Sequence, residues 1–321
     1  MQDVTVVIPN YNGQDFIGNC LNSLRKQNKA NFTVILVDNG STDNSVALVK
    51  EQYPEVKLLG LPENTGFCKA VNEGIKASQT DYVILLNNDT EVAADFVDEL
   101  VKAIKVREKA FSCAAKMMQY DRRNLIDDAG NFYNALGWAY AAGKGQPEIL
   151  FNKTKKIFSA CAGAAIYRRE VFDRIGLFDE EHFAYLEDTD MGYRAQIFGY
   201  QNWFVPSARV YHMGSATSGS RYNQFKTRYS SRNNIYMLYK NMPIGQIIFN
   251  LPLLLFGFGV KIIFFLCKGM GREYIAGIKN GFSLAAKAKA QDKKVPFKMR
   301  NLKNYLSIQF QLWINVVRRF I

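Results

Sequence analysis

Histidine is scarce and cysteine is scattered. The chain has 2 histidines and 5 cysteines in 321 residues. Cys20, Cys68, Cys113, Cys161 and Cys267 contain no CxxC pair, which speaks against a structural zinc site. An odd number of dispersed thiols suits a reducing compartment better than a disulfide scaffold. No signal peptide is expected before Val4, because the chain opens directly into a strand-like run. No Ser/His/Asp or Cys/His arrangement for a covalent nucleophile is recognisable.

Acidic residues are few at one end only. The net charge is +12. From Lys261 onward there are 13 Lys and Arg against 2 acids, a local +11 that leaves the first 260 residues at +1. A neutral body with a basic, apolar end suggests an anionic membrane surface as partner. No nucleic-acid motif accompanies the charge, so no nucleic acid is expected.

The first third alternates between strand and helix patterns. VTVVIPN (4–10), FTVILVDNG (32–40), VKLLGL (56–61) and DYVILLNND (81–89) are apolar, strand-like runs. Between them, Ile17, Cys20, Leu21 and Leu24 have helical spacing, and 45–51 and 66–77 read as helices. Continuous apolar strands separated by helices predict an α/β fold with a mostly parallel, doubly covered sheet. Ligands of such sheets bind beyond the carboxyl ends of the strands. Three strand ends carry polar clusters there: Pro9-Asn10-Tyr11-Asn12-Gly13, Asp38-Asn39-Gly40-Ser41-Thr42-Asp43 and Asn87-Asn88-Asp89. Each alone could be a turn or a helix cap. Three on one rim, two with carboxylates, point to a ligand, and LLNNDTEV (85–92) to a metal.

Further along, 95–107 reads as a helix, and 157–176 as a small-residue strand entering a helix. Small residues there allow either close approach of a ligand or tight packing. A helix is expected from Glu187, with Met191, Ala195 and Phe198 in register. Its first turn holds Glu187, Asp188 and Asp190, which either complement the helix dipole or form a site. His212, before a hydroxyl-rich loop, is either structural or a metal ligand.

Two segments near the end raise the membrane question. Residues 244–267 are apolar but include Gln246, Asn250, Pro252 and Lys261. About 20 apolar residues are needed to span a bilayer, and this run is marginal. Leu302, Leu306, Phe310, Trp313, Val317 and Phe320 recur at helical spacing beside Lys303, Arg318 and Arg319. The pattern suits attachment to one face of the membrane, at the cytoplasmic side of a bacterial cell. Spanning, and packing on the body alone, remain the alternatives.

VVIPNYNG, VDNGSTDNS, ENTGFCKAVNEGI, LLNNDTEV, GAAIYRREVFDRIGLFDEEHFAYLEDTDMGYR and VYHMGSATS together resemble, in this order, the family 2 glycosyltransferases of GT-A fold. The likeness spans roughly residues 4–240 and is nearest the bacterial rhamnosyltransferase branch, which builds surface polysaccharide on lipid-linked acceptors. It implies a catalytic domain over 1–240 and a basic, apolar helical region over 241–321. It implies that Pro9, Tyr11 and Asp38 frame the nucleotide base, with Asn64, Gly66 and Asn88 near the donor. Asn87-Asn88-Asp89 matches the family's DxD motif with Asn87 in place of the first aspartate. Asp89, with His212 as second ligand, would hold Mg²⁺ or Mn²⁺ on the diphosphate. Asp188 matches the catalytic base of the ED motif, and Glu187 and Asp190 would support the loop or the acceptor. The implied reaction is a single inverting displacement from a dTDP- or UDP-sugar, dTDP-rhamnose foremost, onto a lipid-linked glycan. The alternatives are a non-turnover sugar-nucleotide-binding or scaffolding subunit, and a nucleotidyltransferase. The latter commonly has a Gly-rich, basic loop after its first strand, whereas PNYNGQDF (9–16) has one glycine and no Lys or Arg. The sequence does not indicate an oligomeric state.

Overall fold

A computed structural model of the chain describes residues 4–28, 31–214 and 222–320. The first half holds β1 (Val4–Asn10), α1 (Ile17–Arg25), β2 (Phe32–Asn39), α2 (Ser45–Gln52), β3 (Lys57–Leu61), α3 (Phe67–Ala77), β4 (Tyr82–Leu86), β5 (Thr90–Val92), α4 (Phe96–Lys105) and β6 (Ala110–Gln119). Next come the short strands β7 (Ile126–Asp128), β8 (Asn131–Tyr133), β9 (Ala139–Ala141) and β10 (Lys155–Ile157), then β11 (Ala164–Arg168), α5 (Arg169–Ile175), α6 (Glu187–Ile197) and β12 (Gln201–His212). Four helices close the chain: α7 (Gln224–Asn241), α8 (Ile244–Cys267), α9 (Gly271–Ala290) and α10 (Leu302–Arg318).

The main sheet runs β10-β12-β6-β11-β4-β1-β2-β3. Its β4-β1-β2-β3 half is parallel, as the uninterrupted apolar runs require. The other half is mixed. β11 is antiparallel to both β4 and β6, while β12 is parallel to β6 and antiparallel to β5 and β10. β4 is buried at every position, and its two faces supply two separate cores: Val83 and Leu85 on one side, Ile84 and Leu86 on the other.

α10 is part of the first of these cores. Tyr305, Ile308 and Leu312 are buried with Val7, Tyr133 and Phe158. α8 also lies against the body. Its buried positions include Asn250, Leu254 and Gly257. Asn250 and Gln309 exchange two hydrogen bonds of 2.8 Å, Gln246 donates to Gln309 at 2.9 Å, and Trp138 Nε1 donates to the Gly257 carbonyl at 3.0 Å. Gln246 and Asn250, which break the apolar run, therefore face the protein, where both are satisfied. At Gly257 any side chain would collide with the Leu136 backbone.

Candidate active site

The carboxyl ends of β1, β2 and β4 meet, and asparagines tie them together. Asn88 donates to Asn10 Oδ1 at 2.8 Å, and Asn10 donates to Asp38 at 3.2 Å and to Ser45 at 2.9 Å. Asn10 and Asn88 crowd Gly13, where a Cβ would collide with both amides. These contacts explain the polar end of β4. Asn88 is locked into the rim, while Asp89 beyond it lines a cavity of about 1010 Å³.

Pro9, Tyr11, Asn64, Gly66, Asn88, Asp89, Glu187, Asp188 and His212 all line that cavity. Asp38 is buried behind Asn10 and is not in the cavity wall. Asn64 accepts from Asn39 and from the Gly66 amide, each at 3.0 Å, and so shapes the turn into α3. Gly66 has φ +87°, and a Cβ there would approach the Phe183 ring to 2.5 Å. Glycine is thus required by the backbone conformation and by Phe183, before any ligand is considered.

Glu187 and Asp188 arrive at the cavity on a contorted segment. Phe183, Tyr185 and Leu186 have φ of 61°, 70° and 66°. Non-glycine residues in this region cost about 1–3 kcal/mol each. Asn233 of α7 offsets this cost by donating to the carbonyls of His182, Ala184 and Tyr185 at 2.9, 2.9 and 2.7 Å. Asp188 then receives Asn131 Nδ2 at 2.7 Å and the Thr189 amide at 2.6 Å. Burial pushes its carboxyl up, and the bonds from Thr189 and Asn131 pull against that. Glu187 is pushed up by burial and by the neighbouring Asp188, and its Oε2 is buried without a hydrogen-bond partner.

Asp190 does not reach the cavity. It is fully buried on the far side of α6, with Arg194 at 2.8 Å, Lys240 at 3.1 Å and Asn241 at 2.7 Å. Burial would raise its carboxyl, but Arg194 and Lys240 outweigh that and hold it far below the carboxylate range. Lys240 also binds Asp179 at 2.7 Å. Burial would raise Asp179 too, yet Lys240 and His182 bring it down to about 2. Both carboxyls are depressed, so this network stabilises fully above the ordinary carboxylate value and fades as the pH falls towards about 2. Asp190→Ala is expected to cost about 3–5 kcal/mol in urea unfolding, since it leaves the buried Arg194 without a counter-ion and Lys240 with Asp179 alone.

β12 brings His212 beside Asp89 through the pairing of His212 with Thr90. His212 Nε2 lies 3.3 Å from Asp89 Oδ1, and Nδ1 lies 2.8 Å from Asp127 Oδ2. Lys144 holds Asp127 from the other side at 2.7 Å. Burial would lower His212, but Asp127 and Asp89 outweigh it and raise the imidazole to about 9. Burial would raise Asp127, but His212 and Lys144 bring it down to about 2. No group of three or more metal-binding side chains occurs among the described residues. The pair nevertheless suits a hard divalent ion that draws its remaining oxygens from phosphates and water. With Nδ1–H donating to Asp127, the usual support for a metal-bound histidine, an ion beside Asp89 would displace the Nε2 proton and take that lone pair. The hydroxyl-rich segment after His212, including Ser215 and Thr217, lies outside the described residues.

Several residues of the site carry no sequence signal of their own. Asn10 and Asn39 sit in two of the polar strand ends that point to a ligand, but nothing in the sequence singles them out from their neighbours. Asp127 and Asn131 sit in a stretch without regular periodicity, although the paired acids Asp127-Asp128 are unusual there.

The half-parallel sheet, with a cavity beyond the carboxyl ends of its strands and a carboxylate facing into it, is the arrangement of a glycosyltransferase of GT-A fold. Residues 5–176 match the family described as Glycosyl transferase family 2, and the chain belongs to that family: it is a glycosyltransferase. It is 28% identical over 245 residues to the N-acetylglucosaminyl-diphospho-decaprenol L-rhamnosyltransferase of Mycobacterium tuberculosis, covering 68% of this chain and 79% of the relative. It is also 32% identical over 98 residues, 29% of this chain and 14% of the relative, to the teichoic acid poly(glycerol phosphate) polymerase of Staphylococcus epidermidis. Among solved structures, GalNAc-T7 with UDP, GalNAc and Mn²⁺ is similar with a TM-score of 0.59 at 17% identity. That match covers 73% of this chain and 47% of the other. The mannosyltransferase PcManGT of Pyrobaculum calidifontis, with GDP-Man and Mn²⁺, has a TM-score of 0.56 at 14% identity, over 97% of this chain and 84% of the other. These two structures bear on the fold alone.

Proposed function

We propose that the chain is an inverting, metal-dependent transferase that moves a sugar, L-rhamnose from dTDP-rhamnose foremost, onto a lipid-linked glycan. The observation that carries this reading is the placement of Asp188 and Asp89 in one cavity. In this reading the acceptor hydroxyl lies against Asp188. As its oxygen bonds to the anomeric carbon, the proton passes to the carboxylate, and the bond from that carbon to the diphosphate breaks. The electron pair leaves with the nucleoside diphosphate. A raised proton affinity suits Asp188 to accept that proton. Asn131 and Thr189 aim the carboxylate, and Glu187 supports the loop beside it. Asp89 and His212 would hold Mg²⁺ or Mn²⁺, which supplies Lewis-acid stabilisation of the leaving diphosphate. Pro9, Tyr11, Asn64 and Gly66 border the space for the nucleoside, with Asp38 bracing Asn10 from behind.

The acceptor class is supported by the M. tuberculosis relative, whose name specifies a diphospho-decaprenol acceptor. The test is transfer by the purified chain from a panel of dTDP- and UDP-sugars to a polyprenyl-diphosphate-linked sugar. Turnover with one donor is expected. Binding of a donor without turnover would instead support the scaffolding subunit.

In the same reading residues 1–240 carry the chemistry and 241–321 meet the cytoplasmic face of the membrane. α8 is long and apolar enough to span a bilayer, and 17% of its most apolar window is buried. Its bonds to Gln309 and Trp138 fasten one side of the helix along the body, which supports lying on a membrane over crossing it. The opposite side exposes Ile248, Leu255 and Phe256, and α10 adds Leu306, Phe310 and Val317. Phe249 and Trp313, 5.4 Å apart, join the two stripes. Phe256→Glu with Phe310→Glu is expected to abolish co-flotation with vesicles and leave donor binding unchanged. Equal flotation of the variant and the wild type would refute this attachment.

A further inference from the structure

One group of cations has no counter-ion. Lys155, Arg318 and Arg319 lie on the rings of the β8–β9 hairpin, and Lys261 follows one helical turn after Gly257, whose carbonyl binds Trp138 of the hairpin turn; among the described residues none of the four forms an ion pair. Phe132 and Tyr140, partners across the hairpin, stack with centroids 5.8 Å apart. The Arg318 guanidinium lies 4.7 Å from the Phe132 ring centre, and that of Arg319 lies 5.4 Å from the Tyr140 ring centre. Lys155 Nζ is 5.8 Å from Phe132 and 5.2 Å from Phe151. The aromatic faces orient these cations but do not neutralise them. Burial and then the neighbouring Arg319 push Lys261 down to about 8, and burial and then Arg318 lower Lys155. The acid that acts on Lys155, Asp128, is itself buried and pushed up to about 7.

The location narrows what this charge is for. Lys261 interrupts the apolar run of α8, and Arg318 and Arg319 end α10. Around them Ile263, Val317 and Phe320 expose apolar side chains. Four uncompensated cations at the edge of an apolar surface complement an anion attached to a hydrocarbon chain. An acidic peptide would not need the apolar border. We propose that Lys155, Lys261, Arg318 and Arg319 form a binding site for the phosphate or diphosphate of a lipid whose chain lies along α8 and α10. This rests on the membrane attachment proposed above. The same hairpin reaches the catalytic cavity, because Asn131, next to Phe132, is the residue that holds Asp188. A diphosphate of the acceptor is therefore one source of the anion, and bulk anionic phospholipid is the other.

The experiment compares the wild type with Lys261→Gln/Arg318→Gln/Arg319→Gln on three vesicles: phosphatidylcholine, phosphatidylcholine with phosphatidylglycerol, and phosphatidylcholine with trace polyprenyl diphosphate. The wild type is expected to bind the anionic vesicles more tightly, and the variant to lose roughly fivefold per removed cation. Binding to phosphatidylcholine alone, through the apolar face, should be the same for both. A gain with trace polyprenyl diphosphate identifies the acceptor as the source, and a gain with phosphatidylglycerol alone identifies the bulk lipid. An anion-dependent gain of equal size in both proteins overturns the site. If the wild type binds no vesicle, the attachment reading fails, and titration with soluble farnesyl diphosphate decides the site. Weaker binding by the variant then supports it, and equal binding overturns it.

Discussion

Asp188→Asn is expected to lower sugar transfer about 10²–10⁴-fold while donor affinity stays nearly unchanged. The substitution keeps the shape: its Oδ1 can still accept from the Thr189 amide, and Asn131 can turn its own amide oxygen towards the new Nδ2–H, so the position is held while the proton acceptor is lost. Single-turnover transfer with an isothermal donor titration separates the two effects. Transfer at near wild-type rate would end the assignment of Asp188 as base. The pH profile provides a second reading. The base must be ionised, so transfer falls as the pH drops through its pKa, and burial places that acidic limb above the ordinary range for aspartate. Asn131→Ala removes a donor that favours the ionised form, so the limb should move up by about one pH unit. A variant that only loosened the hairpin would lower the plateau and leave the limb in place.

The distinction between Asp188 and Asp190 was within reach of the sequence. Two residues along a helix turn through about 200°, so both cannot face one cavity. Arg194, four residues beyond Asp190, marks it as an ion-pair partner. The parallel strands were legible because burial on both faces leaves an uninterrupted apolar run, as in YVILL of β4. The mixed half was harder, because β11, AAIYR, is also buried along nearly its whole length and nothing in its own composition shows that it runs antiparallel to β4. Asn131 and Asp127 became visible only through pairing. Their roles are set by the hairpin and by the register of β12, contacts between residues far apart in the chain. The polar positions of α8 pointed the other way. Gln246 and Asn250 count against a membrane helix in a linear reading, yet they mark the side that Gln309 covers.

Asp89→Ala is expected to remove divalent-ion binding and to lower transfer at least ~10²-fold, because stabilisation of the departing diphosphate by the ion is worth several kcal/mol. The measurement is Mn²⁺ binding followed by electron paramagnetic resonance in the presence of nucleoside diphosphate, with donor affinity measured with and without chelator. In the wild type, chelator should weaken donor binding; in the variant it should change nothing. Asp127→Asn provides the finer control. Asp127 lies 2.8 Å from His212 Nδ1 and does not line the cavity, so it can act on the ion only by orienting the imidazole. Loss of such a support typically costs 10–100-fold in metal affinity. An asparagine can still accept the Nδ1 hydrogen bond, so Asp127→Asn should retain more affinity than Asp127→Ala, which loses the acceptor altogether. If both bind Mn²⁺ as the wild type does while Asp89→Ala does not, then Asp89 holds the ion without His212. The 3.3 Å contact between His212 and Asp89 would then be an ion pair that positions Asp89 and not half of a metal site.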